Sequence, residues 1–99
     1  MRFHQQIVGA IDHMRVLELR YDGYFRVVEP HAYGVSDEGH YLLRCYQSAG
    51  GSQSGSPVGW KLLRTDEIGS LHESGAIFQG ARPGYKRNDS AMQHIYAEL

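Results

Sequence analysis

Arg26, Arg44 and Arg64 fall on three segments whose alternation of residue types reads as β-strand. An arginine fork donates two parallel hydrogen bonds to a phosphate or carboxylate, a geometry lysine cannot match. Tyr41 lies among them in the stretch RVVEPHAYGVSDEGHYLLRCYQ, which also carries Glu29, His31, Tyr33, His40 and Tyr46. A tyrosine beside arginines can stack on a nucleobase while the guanidinium groups neutralise phosphate. Tyr21, His40 and Lys61 would stand nearby, and Arg82, Lys86 and Arg87 would add a diffuse positive field. Each residue also has a plainer role: core aromatic for Tyr41, solvated surface for the cations.

Other chemistries find less support. The six histidines show neither His-x-His nor His-Glu-x-x-His spacing, so no metal site is expected. SAGGSQSGSPVGW is glycine-rich but lacks the Gly-Lys-Ser/Thr ending of a phosphate loop. Cys45, the single cysteine, alternates with apolar neighbours and reads as a small buried hydrophobe. No nucleophile elbow occurs, so the expectation is a non-enzymatic chain without a cofactor.

The elements that must position these side chains follow from periodicity. Phe3, Ile7, Ala10, Ile11 and Met14 make one apolar stripe, predicting a helix over 3–14 that packs through Ile7, Ile11 and Met14. Leu17, Leu19 and Tyr21 then alternate with Glu18 and Arg20, a strand with one wet face. Asp22-Gly23 is a hairpin turn because both positions tolerate positive φ. The return strand runs from Tyr24 to Glu29, and Pro30 bends or ends it. A second hairpin turns at Asp37-Glu38-Gly39, placing Tyr41, Leu43 and Cys45 on one face and His40, Leu42, Arg44 and Tyr46 on the other. VGWKLLR reads as the next strand, and a last short one is expected near Ala76–Phe78. Ser90 and Gln93 have capping-box spacing, and Met92, Ile95, Tyr96 and Leu99 form a stripe, so a C-terminal helix over 90–98 is expected.

Size and charge set the outer limits. Ninety-nine residues with 41% hydrophobic content suit one domain over 1–99. Such a chain buries about 65% of its unfolded surface. The net charge of −1 excludes a general polycation, so nucleic-acid binding would need local clustering of Lys and Arg. No long apolar run suggests a membrane span or export signal, which makes the cytoplasm the expected location.

Four landmarks, in order, resemble the WYL domain family. AIDHMRVLELRY resembles the opening helix and strand; FRVVEPHAYGV is similar to an Arg-x-Val-x-Pro element through Arg26, Val28 and Pro30. GHYLL occupies the naming Trp-Tyr-Leu triplet with Tyr41 and Leu42, and LLRTDEI keeps Arg64, Asp66 and Ile68 of a later element. The resemblance covers roughly residues 7–80. His40 stands where the family has Trp, and Glu67 where it has a second Arg.

The resemblance implies a small five-stranded Sm-like (Src-homology-type) β-barrel over about 15–80, flanked by N- and C-terminal helices, with a basic segment and helix over 81–99. It implies a bacterial sensing module for transcription regulation that binds a nucleotide or single-stranded nucleic acid. The ligand would be held by Arg26, Tyr41, Arg44 and Arg64, with Tyr21, His40 and Lys61 nearby. No helix-turn-helix accompanies the module here. The alternative is therefore a protein-interaction or dimerisation module that docks on a regulatory protein carrying that part. A homodimer through Ile95, Tyr96 and Leu99 is the expected assembly.

Overall fold

A computed structural model describes all residues, 1–99. Helix α1 (His4–Asp12) leads into β1 (Arg15–Tyr21), β2 (Tyr24–Val35), β3 (Tyr41–Gly50) and β4 (Gly59–Arg64). A 3-10 turn at Thr65–Glu67 precedes β5 (Ser70–Ile77), and β6 (His94–Glu98) ends the chain. All strand pairs are antiparallel. Their order is β4-β3-β2-β1-β5, with β6 added to β2. No helix is long and apolar enough to cross a membrane.

Local chemistry explains the framework. Asp22 and Gly23 both adopt positive φ, 53° and 78°, the twist-matched geometry of a two-residue hairpin. Leu17 and Leu19 alternate inward opposite Val28 and Arg26. Pro30 cannot donate a ladder bond, and the register with β3 jumps across it, leaving His31 as the extra residue of a bulge. The long strand changes partner there. Its first half pairs with β1 and its second half with β6.

The main core gathers Ile7, Ala10 and Ile11 of α1 against Leu17, Leu19, Val28, Tyr33, Leu43, Cys45 and Leu63. Met14 does not join them. It turns the chain from α1 into β1 with φ 51° and remains 37% exposed. A smaller cluster of Ala32, Leu42 and Met92 lies on the sheet's other face.

Several expectations change. The sheet has six strands rather than five, and it is an open sheet rather than a closed barrel, because β4 and β5 do not pair. The expected C-terminal helix is a strand instead. Ala32–Val35 would otherwise leave ladder groups unpaired once β1 has ended, and pairing with β6 satisfies them. A helix of nine residues has little intrinsic stability to set against that. The residues expected to form a dimer face are engaged within the chain. Tyr96 and Leu99 pack on the main core and Ile95 on the smaller cluster. Finally, the last strand of the expected five spans Ser70–Ile77, longer and earlier than Ala76–Phe78.

Candidate anion-binding site

The seven residues expected at one ligand separate into three places. Arg26 and Lys61 project to the sheet's inner face. Tyr21 reaches from the end of β1 to the backbone of Arg64, which the register places opposite Leu42 at the far end of β4, beside rather than on that face. Arg44 lies on the outer face. Tyr41 and His40 lie at the start of β3, where Tyr41 stacks on Tyr96 at 6.1 Å and His40 is exposed.

Strand alternation turns Arg26 and Lys61 inward, whereas Arg64 joins them only through Tyr21. Arg26 points inward from β2, next to Gln47 of β3, and is only 3% exposed. Its Nε donates to the Tyr21 carbonyl at 3.2 Å and its Nη1 to Gln47 Oε1 at 3.3 Å. Its Nη2 makes no hydrogen bond, and the nearest carboxylate oxygen, on Asp22, is 4.0 Å away. The guanidinium lies over the rings of Tyr21 and Tyr24, at 5.2 and 5.8 Å. Tyr21 links it to Arg64. The Arg64 backbone N–H donates to the Tyr21 hydroxyl at 3.1 Å, and that hydroxyl donates to Glu67 at 3.2 Å. Burial, reinforced by Glu67 and Asp22, raises the Tyr21 pKa, so the hydroxyl stays protonated.

The Arg64 side chain is loosely held. It reaches Asp66 at 3.4 Å and Glu67 at 3.7 Å, and its buried Nε has no hydrogen-bond partner. Lys61 fastens the glycine-rich loop after β3 through Ser52 Oγ at 3.2 Å and the Ser56 carbonyl at 2.6 Å. Gln47 holds the same loop through the Gly51 carbonyl at 2.8 Å. Gly50 is required there: at φ 105°, an added Cβ would collide with the Phe25 carbonyl. Cys45 lies deeper. The Arg26, Arg44 and Lys61 cations favour its thiolate, yet burial wins and pushes the thiol up to about 12, which removes it from nucleophilic chemistry.

Arg44 is spoken for. On the outer face its fork closes on Asp89, Nε to Oδ2 at 2.7 Å and Nη2 to Oδ1 at 3.2 Å. The expectation that Arg44 shares a ligand with Arg26 and Arg64 is therefore corrected. Leu43 and Cys45 face the core, so Arg44 between them must face away.

The basic segment that carries Asp89 packs on the outer face through Arg82, Tyr85 and Asp89. Arg82 forks onto Glu29 at 2.8 and 2.9 Å and lies over the Tyr46 ring at 4.5 Å. Its backbone N–H donates to His31 Nε2 at 3.0 Å, while His31 Nδ1 bonds the Glu29 carbonyl at 2.8 Å. Those two bonds require a neutral ring with its proton on Nδ1. Desolvation lowers the His31 pKa in agreement, helped by Arg82 and opposed by Glu29. Trp60 and Tyr85 pack edge-on to His31 and Phe78 stacks on it. A cleft of about 570 Å³ opens beyond, lined by Arg44, Trp60, Lys86, Arg87 and Asp89 among others.

The two places differ in chemistry. The outer forks are short and closed, and they hold chain segments together. Arg26 and Arg64 have distant, exposed acidic neighbours and spare donors. Gln47 and Tyr24 complete the inner group. Alternation puts Gln47 on the same face as Leu43 and Cys45, which was the available signal for it. No group of three His, Cys, Asp or Glu side chains is placed to hold a metal ion. Comparison with protein-family models, curated proteins and solved structures finds no match for this chain.

Proposed function

We propose that the chain is a non-enzymatic, ligand-sensing regulatory module that binds a nucleotide or single-stranded nucleic acid at the inner end of its sheet. Arg26 and Arg64 take phosphate, Tyr21 and Tyr24 offer ring faces, and Lys61 adds charge from β4. The observation that carries this reading is the guanidinium of Arg26, nearly buried and with no close carboxylate. A buried charge is costly unless it is closely paired; Asp22 at 4.0 Å is a distant partner, and an anionic ligand would be a closer one. Asp22, Asp66 and Glu67 are exposed and lie 3.4–4.0 Å from the arginines, so a phosphate can displace them.

The WYL-like, Sm-like reading of the fold has support of its own. The strand order, the bent β2 and the 3-10 turn between β4 and β5 suit a small barrel left open along one seam. The resemblance in sequence touches the site through Arg26 and Arg64, while Tyr41 and His40 stand apart from it.

The test is fluorescence anisotropy with a labelled single-stranded oligonucleotide and a labelled mononucleotide at two salt concentrations. Wild type binds one or both, more weakly at high salt as counterion release requires. Arg64→Gln, at a half-exposed position, weakens binding by about 1–3 kcal/mol without unfolding the chain. Salt-independent binding, or an unchanged affinity in Arg64→Gln, would overturn the proposal.

A further inference from the structure

The strand order leaves β4 at one end of the sheet with a single neighbour, β3. Its register with β3 is unbroken from Gly59 to Arg64. The Arg64 N–H turns away from β3 to the Tyr21 hydroxyl. Backbone groups alternate along a strand, so Trp60 and Leu62 direct their N–H and C=O groups to the same open side. An unpaired row of this kind is a template for another strand unless something guards it.

The two ends of the sheet are guarded differently. β5 is twisted at its free edge by Gly75 at φ 93°, while its His72 and Glu73 side chains pair back onto Glu18 and Arg15 of β1. β4 has no positive-φ twist between Trp60 and Arg64, and its two cations are engaged elsewhere, Lys61 with Ser52 and Ser56 and Arg64 with Asp66 and Glu67. It shows apolar surface instead: Leu62 is 39% exposed, and Val58 at the strand's entrance is 59% exposed. Trp60 also lines the outer cleft with Arg44, Lys86 and Arg87. Arg44 and Arg87 have acidic partners, Asp89 and Glu98, whereas Lys86 is exposed and makes no ion pair. The cleft beside this edge is therefore net positive.

We propose that the free edge of β4 receives an extended, acidic segment of a partner protein as an added strand. Main-chain bonds to Trp60 and Leu62 supply the pairing. The incoming strand's outward side chains are its glutamates, whose methylene stems cover Leu62 and Val58 while their carboxylates reach toward Lys86 and Arg87, and its valines face inward beside Leu63. The division of labour is that of strand-addition sites, where the backbone gives affinity and the flanking side chains select the sequence. The inference does not rest on the nucleotide reading, although Lys61 and Arg64 of that site belong to the same strand.

The probe is a fluorescein-labelled peptide alternating valine with glutamate, titrated with the full chain. Controls are the same peptide with lysine for glutamate, and with alternate backbone amides N-methylated to block ladder bonds. We expect the acidic peptide to bind at least tenfold more tightly than either control. We also expect the Lys86→Glu/Arg87→Glu chain to lose or reverse the charge preference. Leu62→Asp weakens the acidic peptide at least tenfold, with an unchanged urea midpoint as the check on folding. Equal binding of the N-methylated peptide would overturn the proposal, as would indifference to charge reversal or no binding at millimolar peptide. So would concentration-dependent self-association that Leu62→Asp abolishes, because the edge would then belong to a second copy.

Discussion

Removal of Asp89 tests whether the outer segment is held by its fork on Arg44. Asp89→Ala deletes two charge-assisted hydrogen bonds, at 2.7 and 3.2 Å, and the bond Oδ1 accepts from the Ala91 N–H at 3.0 Å. Hydrogen bonds to charged groups contribute about 1.5–3 kcal/mol, and a neutral one about 0.5–1.5 kcal/mol. Arg44 is partly exposed and can recover some hydration, so the expected loss is about 2–4 kcal/mol. Arg44→Ala strands the Asp89 carboxylate and falls in the same range. The double variant should lose less than the sum, with a coupling of about 1–3 kcal/mol. Urea unfolding followed by the single tryptophan reports on this directly, because Trp60 packs against His31, Tyr46 and Tyr85 beneath the segment. The hydrogen bond from Arg44 holds the Asp89 pKa below its ordinary 3.8. The contribution is thus fully present above the unfolded value and is lost as pH falls through the folded one. Coupling within about 0.5 kcal/mol of zero would refute the reasoning, since independent sites add to that precision.

Further outcomes follow from the same packing. The His31 pKa is lowered from 6.5 by burial, so the unfolded chain takes up its proton first. Stability is fully present above that value and declines as pH falls below it, and His31→Gln flattens the profile of urea midpoints between pH 7 and 5. Ile11→Ala empties a buried site at the helix–sheet contact and costs about 2–5 kcal/mol in urea unfolding. Met14→Ala, at an exposed turn, costs no more than about 0.5 kcal/mol, and equal losses at the two positions would contradict the observed docking of α1. Cys45 in the native chain does not react with a thiol reagent at neutral pH and reacts on unfolding, because burial pushes the thiol up to about 12.

Local pattern carried much of this fold. The alternation of Leu17, Leu19 and Tyr21, the Asp22-Gly23 turn and the two faces of β3 were all legible, because each depends on neighbours two residues away. The C-terminal element was not. Met92, Ile95, Tyr96 and Leu99 have helical spacing, but an unpaired edge on β2, distant in sequence, decides their conformation. A similar distance hid the site's division. Alternation assigns Arg26 and Arg44 to faces of their strands, yet Asp89, forty-five residues beyond Arg44, closes one fork. The Glu29–Arg82 pair has no local signal at all, since its partners meet only when the outer segment crosses the sheet.

The most direct test of the nucleotide site is NMR of the arginine Nε–H resonances during titration with a mononucleotide and a short single-stranded oligonucleotide. The account predicts that the Arg26 and Arg64 signals shift together and saturably, while Arg44 and Arg82, locked on Asp89 and Glu29, stay in place. Shifts confined to Arg44 and Arg87, or none at any arginine, would contradict it and leave the inner end of the sheet without its proposed ligand.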